Sequence, residues 1–130
     1  MEKILAPLAP YAYALLRIVA ALVFFCHGGQ KIFGWFDSEP APLASLFGVA
    51  GVIELVLGTL IIIGLLTSLA AFIASGEMAA AYFIAHLAKS FWPIENGGEQ
   101  AVLLCFIFLY VATRGSGIWS IDATRGRLSS

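Results

Sequence analysis

The chain has 130 residues, a length for one domain, and only 12% of them are charged: seven Lys or Arg and eight Asp or Glu. Soluble domains carry about 25%, whereas here 61% of residues are apolar and the mean hydropathy is +0.95. So few charges cannot cover a soluble surface, which excludes a disordered protein, a nucleic-acid binder and an ordinary cytosolic enzyme, and leaves an integral membrane protein.

A spanning helix needs about 20 residues, so four would take about 80 and leave roughly 50 for ends and loops. The first predicted span covers residues 11–33, after Pro7 and Pro10, which suit a helix start. Gly34 to Pro42 reads as a loop. The second span covers 43–66 and the third 67–88, joined by a tight turn at Gly64 and Thr67-Ser68. The fourth covers 97–113. Its strictly apolar part, Ala101 to Ala112, is too short to span alone at about 1.5 Å per residue, so Glu99 and Arg114 should lie near the membrane boundaries. The expected fold is all-α: an integral membrane four-helix bundle, up-down-up-down, in a single domain. Lys3, Arg114, Arg125 and Arg127 would share the side of both termini, against Lys31 and Lys89 on the other. By the positive-inside rule both termini are then cytoplasmic, in an inner membrane. Trp35, Phe36, Phe91, Trp92 and Trp119 fall where interfacial aromatics are expected.

The two cysteines exclude a disulfide scaffold and a Cys-rich metal site. No metal is expected, and Cys26 and Cys105 read as buried thiols in preference to a redox pair. The first apolar stretch contains Arg17 and is too long for a signal-peptide core. Phe24 and Phe25 before Cys26 argue against lipidation there.

Arg17, Glu54 and Glu77 fall well inside the first three spans. A charge there costs about 2.5–3.5 kcal/mol or more, which makes each a functional candidate. Arg17, Phe24 and Lys31 recur every seven residues. Gly51, Glu54 and Gly58 share a face of the second span, and Ala70, Ala74, Glu77, Ala81 and Ile84 share one of the third. If these stripes meet, Arg17 pairs with Glu54 or Glu77 and the other carboxylate is protonated or hydrogen-bonded. The cluster is either polar glue that fixes helix register or a proton-handling or ligand-binding site. Glu77 and His86 are nine residues apart, on opposite faces of an ideal helix, so they are expected to serve different clusters.

A second polar group gathers at the outer ends: His27 and Lys31, then His86, Lys89, Trp92, Glu95, Asn96 and Glu99. Asn96-Gly97-Gly98-Glu99 has the spacing of a capping box. Alternatively, Gly97 and Gly98 bare the N–H groups of a helix start that attracts a carbonyl or an anion. Two histidines at similar depth also fit a haem, set against the commoner use of such histidines as hydrogen-bonded interfacial residues. No dinucleotide or phosphate-binding fingerprint is present.

Arg17, His27-Gly28-x-x-Lys31-x-Phe33-Gly34, Gly51-x-x-Glu54-x-x-x-Gly58, Glu77, the stretch His86 to Glu99 and the tail Gly117 to Asp122 together resemble the DoxX family of small membrane proteins. The resemblance runs from about Leu16 to Asp122. It implies a four-helix inner-membrane protein, often named as an oxidoreductase, and in some members a partner of soluble redox enzymes. It carries over no catalytic residue set.

On the first reading, a quinone or phenol enters from the membrane lipid. His27, Lys31, His86 and Glu99 are the catalytic candidates, moving protons and stabilising charge. Phe24, Trp92, Asn96 and Gly97 are the ligand-binding candidates. A quinone is then the cofactor or substrate, and a soluble redox protein must supply electrons. On the second, the chain is a non-enzymatic scaffold or binder of a lipophilic ligand. On the third, it transports a small solute or protons as a homo-oligomer.

Overall fold

Proline opens the first long helix and glycines close the first two. In the computed structural model, which describes residues 1–129 and their side chains through Gly126, a one-turn helix Glu2–Leu5 and a 3-10 turn Ala6–Leu8 lead into α1, Ala9–Phe33. Pro10 sits in its first turn, where its missing N–H costs nothing. Gly34 ends it at φ +70° and donates to Gln30 O at 3.1 Å. Helix α2 is Leu46–Ile63, and Ser45 caps it by accepting from the Gly48 N–H at 3.1 Å. It is therefore shorter at its start than residues 43–66, because Pro42 and Ser45 fix a turn before it. Gly64, at φ +71°, and the Leu65 N–H, which donates to Leu60 O at 2.9 Å, close its other end.

Helix α3 is Thr67–Ala81, continued by a π-helical turn, Tyr82–His86. A single turn, Pro93–Asn96, precedes α4, Glu99–Arg114, and α5, Ile121–Ser129, ends the described chain. Every regular element is helical, and no strand occurs among the described residues. Three helices, Glu2–Phe33, Leu46–Ile63 and Thr67–His86, are long and apolar enough to cross a membrane. The 16 residues of α4 are fewer, and at 1.5 Å each they extend about 24 Å, short of a hydrocarbon core of about 30 Å.

Small residues set the packing. A Cβ on Gly28 would meet Gly51 O at 2.8 Å, and one on Gly51 would meet Lys31 Cβ at 2.8 Å, so α1 and α2 touch backbone to backbone. Ala70, Ala71, Ala74 and Ser75 line the buried face of α3, packed against α4, and Ser75 Oγ donates to Cys105 O at 2.7 Å. Phe24 and Phe108 meet edge-on in the core, ring centroids 5.0 Å apart.

The tail ties the other end together. Asp122 accepts from the N–H groups of Leu66 and Thr67 at 3.0 and 2.9 Å, capping α3 from far along the chain. That contact holds Leu66 in the left-handed region, at φ 52°. Burial pushes the Asp122 carboxyl up, but the Thr67 and Leu66 N–H groups and Arg125 outweigh it and hold the group below the usual aspartate range.

Candidate functional site

Among the described residues, Arg17 makes no ion pair with a carboxylate. It is fully buried, and its guanidinium donates to Trp119 O at 2.6 Å, Ile118 O at 3.1 Å, Ile62 O at 3.5 Å, and Ser116 O. The reason is register. Fourteen residues separate Arg17 from Lys31, about 21 Å along a helix. Glu54 packs at the Lys31 end of α1, while Arg17 meets the last carbonyls of α2 and the tail. There a cation suits the negative end of the helix dipole. The charge cluster expected of Arg17, Glu54 and Glu77 therefore divides: Arg17 fastens the tail, and the two carboxylates belong elsewhere.

Glu54 takes Lys31 instead, with Nζ donating to Oε1 at 2.5 Å. Around this pair lies a polar cavity of about 240 Å³, lined by His27, Lys31, Glu54, His86, Gly97 and Gln100 among others. His27 Nε2 is 2.8 Å from Gln100 Oε1. His86 Nδ1 donates to Asn96 O at 3.1 Å, since a backbone carbonyl only accepts. The structure thus brings together His27, Lys31, His86, Glu54 and Gly97, from α1, α2, the π turn and the loop before α4. A smaller cavity of about 110 Å³ adjoins them, reached by Lys31, Glu54 and Glu77. The Glu54 Oε2 and both Glu77 oxygens have no hydrogen-bond partner among the described residues.

A π turn carries one residue more per turn than the α-helix, and such turns recur at functional sites. Here it occupies Tyr82–His86, so His86 is displaced from the position an ideal helix would give it. Glu77 and His86 consequently serve adjoining cavities that share Lys31 and Glu54.

Four expected residues stand outside the polar cavity. Phe24 is fully buried against Phe108, in the core and beyond a ligand's reach. Trp92 is 62% exposed and touches Phe91 edge-on. Asn96 is an internal brace: it is buried, its Nδ2 donates to Ser90 O at 2.8 Å and to Tyr82 Oη at 3.2 Å, and its Oδ1 accepts from the Gly98 N–H at 2.8 Å. The capping box with Glu99 does not form, because α4 starts at Glu99 and Gly98 is its cap. Glu99 is exposed at the mouth of an open apolar groove of about 730 Å³ between α1 and α4. Cys26 and Cys105 are free, half-buried thiols.

Gln100 is the residue of this candidate site that the sequence did not single out. It lines the groove and the polar cavity and holds His27. A signal existed: Gln100 stands four residues before Leu104, on the side of α4 that carries the buried Leu104, Phe108 and Val111, although Gln100 itself is exposed.

Residues 12–87 match the family model described as DoxX. The chain belongs to the DoxX family. An uncharacterized protein of Haemophilus influenzae is 44% identical over 124 residues, covering 87% of this chain and 90% of that one. An uncharacterized membrane protein of Mycobacterium tuberculosis is 28% identical over 131 residues, covering 87% and 80%. No solved structure matches the chain. It is a DoxX-family membrane protein with several apolar helices in contact with lipid. The family match includes His27, Lys31, Glu54, Glu77 and His86, while Gly97 and Gln100 follow its end.

Proposed function

We propose that this DoxX protein is a subunit of the cytoplasmic membrane that binds a quinone or phenol between α1 and α4 and handles its protons, while a soluble redox partner exchanges the electrons. One observation carries the reading: the apolar groove open toward lipid and the polar cavity share Gln100 and Leu104 in their walls. A lipophilic tail fits the groove, lined by residues such as Leu15, Val19 and Leu103, while a ring oxygen reaches His27 and Lys31. Conversion of a quinone to its quinol takes two electrons and two protons. The partner supplies the electrons from a reduced flavin or a dithiol. His27 and His86 deliver protons, and the Lys31 ammonium stabilises the developing oxyanion. Glu99, at the groove mouth, faces the arriving ring.

The arrangement proposed for the membrane is an up-down-up-down bundle of α1, α2, α3 and α4 with both termini cytoplasmic. Lys3, Arg114 and Arg125 support that orientation; the side chain of Arg127 lies outside the described residues. The groove equally supports a second reading, in which the protein holds or carries a lipophilic molecule without turnover.

The test is the absorbance of a short-chain quinone mixed with purified protein and candidate soluble reductases. Quinone loss that needs both proteins, and slows in His27→Ala, supports the redox reading. Bound quinone that no partner reduces leaves the carrier reading. Failure to bind quinone removes the first.

A further inference from the structure

Glu77 takes no part in the scheme above. Both its oxygens are buried without a hydrogen-bond partner among the described residues. An ionised carboxylate in that position is the expensive state, and such a group neutralises in preference. The charged groups that face its cavity are Lys31 on α1 and Glu54 on α2; no titratable side chain of α4 lines it. Lys31 is already committed to Glu54 at 2.5 Å. One cation and one carboxylate cancel there, so Glu77 balances only as the neutral acid.

The second observation is Glu54. It is 1% exposed, its Oε1 takes Lys31, and its Oε2 has no hydrogen-bond partner among the described residues. Glu54 lines the polar cavity and the cavity of Glu77 alike. The latter, about 110 Å³, has room for a bridging water, whose share of liquid volume is about 30 Å³. Lys31 also lines a third, open pocket with Gln30, Ser38 and Glu39 at the turn after α1. The three pockets therefore meet at Lys31, and Glu54 joins the two inner ones.

We propose that Glu77 is an intramembrane proton store, which holds a carboxyl proton and exchanges it through Glu54 with the polar cavity and, through the opening at Lys31, with water. The proton leaves the Glu77 carboxyl for Glu54 Oε2, directly or over one water. Glu77 becomes a carboxylate as Glu54 becomes an acid. Glu54 then gives the proton to an oxygen or nitrogen in the polar cavity, and one proton from water restores Glu77. No electrons move, and the store works whatever occupies the cavity.

The test is infrared absorption of the full chain in lipid nanodiscs at neutral pH, in H2O and in D2O. The exposed carboxylates are ionised there, so a protonated-carboxyl C=O band reports a buried acid. The band is expected in the wild type, to shift promptly in D2O, to vanish in Glu77→Gln, and to persist at a displaced position in Glu77→Asp. Gln is isosteric with the neutral acid, so Glu77→Gln keeps its thermal stability. In the double variant K31M/E54Q, which removes the relay without stranding a charge, the band remains and its D2O shift slows by at least about tenfold. Absence of the band, its survival in Glu77→Gln, or a band that D2O never shifts would overturn the proposal. So would unfolding of Glu77→Gln, which would mean an ionised, paired native group, or an unslowed shift in the double variant.

Discussion

Lys31 and Glu54 share one hydrogen bond of 2.5 Å but not one environment: the lysine side chain is 26% exposed and the glutamate 1%. Losing either partner therefore has unequal consequences. Lys31→Met strands a carboxylate in the interior and is expected to cost about 3–5 kcal/mol. Glu54→Gln leaves an ammonium that can still reach water and is expected to cost less. Thermal unfolding in detergent of the two variants checks the order, and K31M/E54Q should recover part of the loss of Lys31→Met.

Arg17 holds the tail by three of its carbonyl groups, of Ser116, Ile118 and Trp119, and ties it to Ile62 O at the end of α2. Arg17→Leu leaves those acceptors without their donor, an expected loss of about 2–4 kcal/mol. Arg17→Lys should restore little of it, since an ammonium lacks the planar fork that spans several acceptors. Limited trypsin cleavage at Arg114 and Arg125 is the readout. Both variants should be cut faster than the wild type, and equal rates would show that the tail is held elsewhere.

Asp122 gives that same tail a pH dependence. Its carboxyl lies below the usual range in the folded chain, so its contribution is fully present above the unfolded value, about 3.9. The contribution is lost as pH falls through the lower, folded value. Proteolysis or fluorescence of Trp119 should report tail release only in strong acid. Asp122→Asn, which can offer one acceptor oxygen in place of two, should loosen the tail at neutral pH and flatten the acid step.

Two glycines separate close approach from mere helix content. A Cβ on Gly28 would lie 2.8 Å from Gly51 O and 2.9 Å from Leu55 N, backbone that cannot give, whereas one on Gly76 meets nothing within 4 Å. Gly28→Ala is expected to cost about 1–3 kcal/mol by overpacking. Gly76→Ala should be neutral or stabilise by up to about 1 kcal/mol. Thermal unfolding of the pair, side by side, decides it.

The spans were legible because apolar runs bounded by Pro, Gly and Ser carry their own signals, and α1, α2 and α3 fall where those signals put them. Lys31, Glu54, His27 and His86 stood out as polar groups in apolar surroundings. The pairing of Arg17 was not legible. Which residue a buried cation meets depends on helix register and on backbone carbonyls, and every residue owns a carbonyl, so no sequence pattern marks one as an acceptor. Phe24 shared a heptad with Arg17 and Lys31, but α1 offers neighbouring faces to the core and to the site, and heptad spacing alone does not separate them. The loop around Asn96 misled for a related reason. Its side chain braces Tyr82 and Ser90 and accepts from Gly98, and that fold-back starts α4 at Glu99.

The joint between groove and cavity is the centre of the account, and equilibrium binding of a short-chain quinone in lipid nanodiscs measures it most directly. Gln100→Ala removes the polar one of the two residues common to both, and Leu103→Trp fills the groove from its 62% exposed wall. Each should weaken binding by about tenfold, or about 1.4 kcal/mol, while Trp92→Ala, which alters an exposed side chain outside every cavity wall described above, binds as the wild type does. Equal affinity in all four proteins, or no saturable binding to any, would contradict it.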